Sequence, residues 1–250
     1  MAAGRGSRMN SKTTNKVAVS LANKPLILHS IHTLEEMDFG TIAVVVGFAK
    51  ESVMKALNDS HVVFAEQKKR LGTAHAVKTA MEVIPENITD VLVIQGDDSA
   101  FYNTEIITEL TNAHVFSDAG ITFLTINVKK PYGLGRIIRD KTGKVVAVVE
   151  EKDATDSQRE INEINPACYI FKVNFLKKYL PKVKKSRVTG EYYLTSLIHI
   201  AIENDEKTET VQAGFLPWRG VNTKEELEDA ERLYQSMQED MYEKSSTEGR

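Results

Sequence analysis

Cysteine is nearly absent from this sequence: Cys168 is the only one. A lone thiol excludes an intrachain disulfide and any metal site built from several cysteines. Long apolar runs are lacking too, none approaching the roughly 18 residues of a bilayer-spanning helix, so no membrane partner is expected. The basic N-terminal residues are followed by no apolar stretch of secretory length and do not read as a signal peptide. Charge of one sign is also missing. Against 32 Lys and Arg stand 35 Asp and Glu, a net charge of −3, which argues against a dedicated nucleic-acid binder. Internal repeats and low-complexity linkers are not found. What is present is an ordinary globular composition, 42% hydrophobic and 27% charged over 250 residues, enough for one large core. A cytoplasmic protein is the expectation.

The apolar pattern predicts alternating helices and strands. Pro25 suits a first helical turn, and Ile27, Ile31 and Leu34 share one helical face up to Gly40. Thr41–Val46 and Val91–Gln95 are continuous apolar runs, as in strands covered on both faces. Between them lie a helix over Lys50–Leu57, a strand over Val62–Ala65, and a helix from Thr73, the candidate N-cap, to Met81. Further strands are read over Ile121–Val128, Gly135–Arg139, Lys144–Val149, Ala167–Phe171 and Thr208–Val211, with Asp153–Glu163 loop-like. An apolar helix follows Gly190-Glu191-Tyr192-Tyr193 and runs to Ile202. The last helix begins after Thr223 and carries Leu227, Ala230, Tyr234, Met237 and Met241 on one face. The division is an α/β domain over 1–222 and a helical arm with a polar tail over 223–250. The apolar stripe of that arm packs back on its own chain or pairs two copies into a homo-oligomer.

Ligands of open α/β sheets bind beyond the carboxyl ends of strands. Four segments suit that edge: Met1–Met9, Gln67–Thr73, Gln95–Asp98 and Gly220–Asn222. The first combines Gly4, Gly6, Arg5 and Arg8, which suits a phosphate-binding turn; a basic N-terminal tail is the competing reading. It lacks the third glycine of a dinucleotide fingerprint and the Gly-Lys-Ser/Thr of a Walker loop. Asp97, reached from an apolar strand through Gly96, suits a hard cation such as Mg2+, or a plain turn. Asn222 offers a neutral oxygen, Lys16 a phosphate counter-charge, and Glu150 and Asn165 groups for sugar hydroxyls and an amide. His75 reads as packing or capping, Cys168 as a buried small hydrophobe, and Lys182, Lys184, Lys185 and Arg187 as a solvated loop.

In order, these segments resemble the sugar-1-phosphate nucleotidyltransferase family, and within it the uridyltransferase domains acting on N-acetylglucosamine 1-phosphate. The opening L-A-A-G-x-G-x-R-M corresponds to Met1–Met9, and the family lysine to Lys16. Q-x-x-x-L-G-T corresponds to Gln67–Thr73, Y-G-D to Gln95-Gly96-Asp97, and G-x-G-R-I to Gly133–Ile137. V-E-x-K-D-A-T corresponds to Val149–Thr155 and E-I-N to Glu163–Asn165, with Gly190–Thr195 and Gly220–Asn222 completing the series. The resemblance implies a Rossmann-like, GT-A-type α/β fold with a mixed, mostly parallel sheet flanked by helices. It implies nucleotide contacts from Ala2, Ala3, Gly4, Gln67, Gly72, Thr73, Gln95 and Gly96, with Arg8 and Lys16 as catalytic charges. Asp97 and Asn222 would hold Mg2+, and Gly135, Glu150 and Asn165 the amino sugar. The implied reaction joins UTP to N-acetylglucosamine 1-phosphate and releases pyrophosphate. Alternatives are another hexose phosphate or base, or a catalytically weak nucleotide-sugar-binding or regulatory module. Departures are Asn15 for proline before the lysine, Gln95 for tyrosine, Asn165-Pro166-Ala167 for Asn-Thr-Gly, and Ser196 for an acidic residue. The hexapeptide-repeat acetyltransferase half of the bifunctional enzymes has no counterpart here, so only nucleotidyl transfer is expected of this stretch. The family also has an interior apolar strand before Ala-Ala-Gly, so the expected start lies roughly seven to nine residues upstream of Met1.

Overall fold

The computed structural model describes residues 1–6, 9, 11–214, 218 and 220–248. A short hairpin, β1 (Ser20–Leu21) and β2 (Lys24–Pro25), leads into α1 (Leu26–Glu36), β3 (Ala43–Val46), α2 (Lys50–Ala56), β4 (Val63–Glu66), α3 (Thr73–Ala80) and β5 (Asp90–Val93). Pro25 is the N-cap of α1 rather than a residue of its first turn. The chain continues through α4 (Thr104–Ser117), β6 (Ile121–Asn127), β7 (Gly135–Arg139), β8 (Val145–Val149), α5 (Asp156–Arg159) and β9 (Glu163–Asn165). It ends with β10 (Tyr169–Lys172), α6 (Val173–Tyr179), α7 (Ser196–Glu203), β11 (Thr208–Gln212) and α8 (Lys224–Glu248). Asp153–Glu163, expected as loop, contains α5, which a Thr155–Gln158 capping box starts.

The main sheet runs β5-β10-β6-β9-β7-β8, with β11 added to β6. β10 is antiparallel to both β5 and β6, so those two share a direction, which β11 follows. β3 and β4 form a separate parallel pair. Strand alternation feeds two cores. Phe123, Tyr169 and Phe171 meet Val77 of α3, Phe175 of α6 and Leu197 of α7 on one face. Leu124, Ile126 and Ile170 meet Ile106, Ile107 and Leu110 of α4 on the other.

The first residues of the chain tie β3 and β5 together through backbone hydrogen bonds. Ala2 pairs with Val46 in parallel and its N–H donates to Val45 O at 2.8 Å. The Met1 ammonium donates to Ile94 O at 2.7 Å, and Gly96 N–H donates to Met1 O at 3.0 Å. Beyond Met1 the facing edges of β3 and β5 border a cavity of about 190 Å³, walled by Ile27, Ile31, Val44, Val77, Leu92 and Ile94.

The apolar stripe of α8 packs on its own chain. Leu227, Ala230, Leu233, Tyr234 and Met237 join Leu21, Leu26, Phe101 and Val221 in one cluster. Glu231 accepts the Ala22 N–H at 2.9 Å, which fixes the arm against the β1–β2 turn. None of the helices among the described residues is long and apolar enough to cross a membrane.

Candidate active site

The opening loop leaves the sheet at Ala3, whose carbonyl accepts Phe48 N–H at 3.2 Å. Gly6 then takes φ +56°, and a Cβ there would lie 3.2 Å from the Lys16 Cβ. A side chain would be strained and would press on the Lys16 stem. Arg5 stacks its guanidinium over Phe48 at 5.9 Å. Arg8 lies outside the described residues.

Lys16 is aimed by Asn15, which stands where the resembled family has proline. Asn15 is fully buried. Its Nδ2 reaches Ala2 O at 3.0 Å, Gly4 O at 3.2 Å and Phe48 O at 2.8 Å, and its Oδ1 accepts Val17 N–H at 3.2 Å. A proline lacks the backbone N–H that Asn15 donates to Ser52 Oγ at 2.9 Å. With its stem so placed, the Lys16 ammonium donates to Asp97 Oδ2 and, at 2.8 Å, to Asn222 Oδ1. Asp97 O accepts Val221 N–H at 2.9 Å, which holds the two loops in register. Two oxygens, one anionic and one neutral, therefore already converge on a cation. That donor set suits Mg2+, which takes one or two protein oxygens and completes its shell with phosphate and water. No three His, Cys, Asp or Glu side chains gather into a cage among the described residues.

Asp98, next to Asp97, is buried, and its Oδ1 has no hydrogen-bond partner among the described residues. Burial, reinforced by the Asp97 charge, pushes its carboxyl well above the usual range. Tyr102 lies 3.2 Å from Asp98 Oδ2, and Trp218 Nε1 donates to the same Tyr102 hydroxyl at 3.2 Å. Neither aromatic residue stands out in the sequence, since each carries its role in one polar atom.

The Gln67–Thr73 turn is welded to the 191–194 segment. Gly72, at φ +108°, has no room for a side chain: a Cβ would meet Tyr192 O at 2.5 Å. Tyr192 N–H donates to Leu71 O at 2.7 Å and Ala74 N–H to Tyr192 O at 2.9 Å. Thr73 does not cap α3, whose N-cap is Gly72. Its hydroxyl instead accepts Leu194 N–H at 2.8 Å. Gln67 Nε2 donates to Gly72 O at 3.0 Å and meets His75 Nδ1 at 2.9 Å. His75 therefore orients Gln67.

Gly135 pairs with Asn165 across β7 and β9, and a Cβ on Gly135 would lie 3.7 Å from Glu150 Oε2. Burial raises the Glu150 pKa, and Thr195 Oγ1 donates to its Oε1 at 3.0 Å. Asn165 donates to Tyr169 Oη at 2.6 Å and accepts Ala167 N–H at 3.0 Å. Ala167 takes φ +60°, a left-handed conformation in a residue with a Cβ.

One cavity of about 360 Å³ brings together Ala2, Ala3, Gly4, Lys16, Gln67, Gly72, Thr73, Gln95 and Asp97, with Arg5, Arg70 and Glu191 also on its walls. Asn222 joins this group through Lys16, and Gly96 through its bond to Met1. Gly135, Glu150 and Asn165 form a second group outside that lining, reached through consecutive residues: Leu194 binds Thr73 and Thr195 binds Glu150.

Comparison with known proteins bears on the family and the fold. The nucleotidyl transferase family model matches residues 1–237. The bifunctional protein GlmU of Francisella tularensis subsp. holarctica is 41% identical over 236 residues, 94% of this chain and 50% of that protein. GlmU of Francisella tularensis subsp. novicida matches to the same extent. The chain thus spans about half the length of these relatives. A Bacillus anthracis chain described as a glucose-1-phosphate thymidylyltransferase has the same fold, with a TM-score of 0.74, 20% identity, and coverage of 93% of this chain and 92% of its own. On the family match and the GlmU identity together, the chain belongs to the nucleotidyl transferase family.

Proposed function

We propose that this chain makes UDP-N-acetylglucosamine and pyrophosphate from UTP and N-acetylglucosamine 1-phosphate. The observation that carries the reading is the convergence of Asp97 and Asn222 on the Lys16 ammonium beside the cavity walled by Ala2, Gly4, Gln67 and Thr73. A phosphate oxygen of the sugar phosphate attacks the α-phosphorus in line. The bond to the β-phosphate breaks, and pyrophosphate leaves with its electrons. The attacking oxygen is already anionic, so no general base is needed, and the chain's work is positioning and charge stabilisation. Asp97 and Asn222 would hold Mg2+, which would supply neutralisation of phosphate charge. Lys16 and Arg8 add further positive charge, and the Ala2–Gly4 backbone lies against the phosphates. Gln67, Gly72, Thr73, Gln95 and Gly96 border the uridine side, and Gly135, Glu150 and Asn165 the amino sugar. The 41% identity to GlmU over 94% of the chain supports this choice of substrates.

One observation favours another hexose phosphate. Asn165 is engaged by Tyr169 and Ala167, and Ala167 carries a methyl group beside it. Magnesium-dependent pyrophosphate release over a panel of nucleoside triphosphates and sugar 1-phosphates separates the readings. The proposal expects the highest kcat/KM with UTP and N-acetylglucosamine 1-phosphate. A preference for glucose 1-phosphate or another base overturns the substrate assignment. Nucleotide-sugar binding without release of pyrophosphate points to a binding module instead.

A further inference from the structure

We propose that Tyr102 is a positioning residue whose hydroxyl fixes the cation ligands and the sugar pocket relative to each other; this deepens, and rests on, the function just proposed. The Tyr102 ring is buried and follows Asp98 through a single turn of 3-10 helix, Ser99–Phe101. Its hydroxyl has one hydrogen and two acceptor lone pairs, and three chain segments meet there. Asp98 Oδ2 lies at 3.2 Å, Pro166 O at 3.1 Å, and Trp218 Nε1 donates to it at 3.2 Å. Each partner is a near neighbour in sequence of a residue assigned to the site: Asp98 of Asp97, Pro166 of Asn165, and Trp218 of Asn222. The hydroxyl thus joins segments 64 and 116 residues away from its own. The Gln67–Thr73 turn has no bond to this hub among the described residues.

A phenylalanine fills the same space without the hydroxyl, so Tyr102→Phe separates positioning from packing. Mn2+ affinity of the full chain is measured by electron paramagnetic resonance without nucleotide. KM for UTP, KM for sugar phosphate and Tm are measured alongside. Losing a buried hydrogen-bond hub that joins these segments is expected to raise the Mn2+ Kd and the sugar-phosphate KM by about three- to tenfold each, with the UTP KM within about twofold. Trp218→Phe removes the hydrogen bond from the Asn222 segment, together with part of the indole's apolar packing, and leaves the Tyr102 contacts to Asp98 and Pro166 in place. It is expected to weaken Mn2+ by a similar factor and to leave the sugar-phosphate KM within about twofold. The proposal is overturned if Tyr102→Phe leaves both quantities within about twofold, or raises the UTP KM by the same factor as the sugar-phosphate KM. Should Tyr102→Phe fail to fold, Trp218→Phe carries the cation test alone. Wild-type protein that binds Mn2+ but turns over no sugar phosphate defeats the proposed function, while the Mn2+ comparison still decides the role of Tyr102.

Discussion

Replacing Asn15 by alanine tests how the phosphate loop is held. Its buried side chain serves the carbonyls of Ala2, Gly4 and Phe48 and the N–H of Val17. Truncation leaves these backbone groups without that partner and opens a small polar void. An unsatisfied buried group costs about 1–3 kcal/mol, and partial relaxation or an entering water lowers the sum, so a loss of about 2–4 kcal/mol is expected. For a chain of this length that corresponds to a Tm lower by about 5–15 °C. Because Lys16 is the next residue, its ammonium also loses its aim, and a displacement near 1 Å can cost about 10²-fold in rate. Differential scanning calorimetry and pyrophosphate release measure the two effects. Asn15→Asp is the sharper control. It keeps the shape but turns an anionic oxygen toward three carbonyls, so it should be worse than alanine at neutral pH. A Tm within about 2 °C of wild type for Asn15→Ala, with the rate unchanged, would refute the reasoning.

Gly72→Ala should lower stability by more than about 3 kcal/mol, because a Cβ 2.5 Å from Tyr192 O at φ +108° strains the turn and breaks its weld; thermal melts or loss of soluble protein read it. Ala167→Gly should raise stability by roughly 0.5–1 kcal/mol in denaturant titration, since it relieves a left-handed alanine at the cost of unfolded-state entropy. In the chain beginning at Met1, burial lowers the α-amino pKa to about 6 from 8.0. The unfolded chain binds more protons between those values, so stability is full above them and falls as pH drops from 8.0 toward 6, by about 2 kcal/mol. Stability measured across that window checks the sign. Fusing five or six apolar residues ahead of Met1 should abolish this slope and raise Tm by filling the cavity between β3 and β5, an outcome that fails if the extension leaves both unchanged.

Segments that carry their own periodicity or glycines were legible in the sequence. The two apolar runs became β3 and β5, three of the four loops picked for the strand ends line one cavity, and the fourth joins it through the Lys16–Asn222 bond. Elements whose signal lies elsewhere were not. α4 mixes Ile106, Ile107 and Leu110 with a buried His114, which is tolerated because Thr122 and Asp90 hold its two nitrogens. β9 is three residues long, too short for a period of two to register. Asn15 and Tyr102 were invisible because their partners are backbone atoms and side chains distant in sequence.

The most direct test of the account is pyrophosphate release from UTP and N-acetylglucosamine 1-phosphate with Mg2+, wild type against Asp97→Ala. Removing one charge-stabilising group of this kind typically costs roughly 10²–10³ in rate, and that loss is predicted with the fold intact by circular dichroism. An Asp97→Ala protein as active as wild type would contradict the assignment of Asp97, Asn222 and Lys16 as the reacting centre.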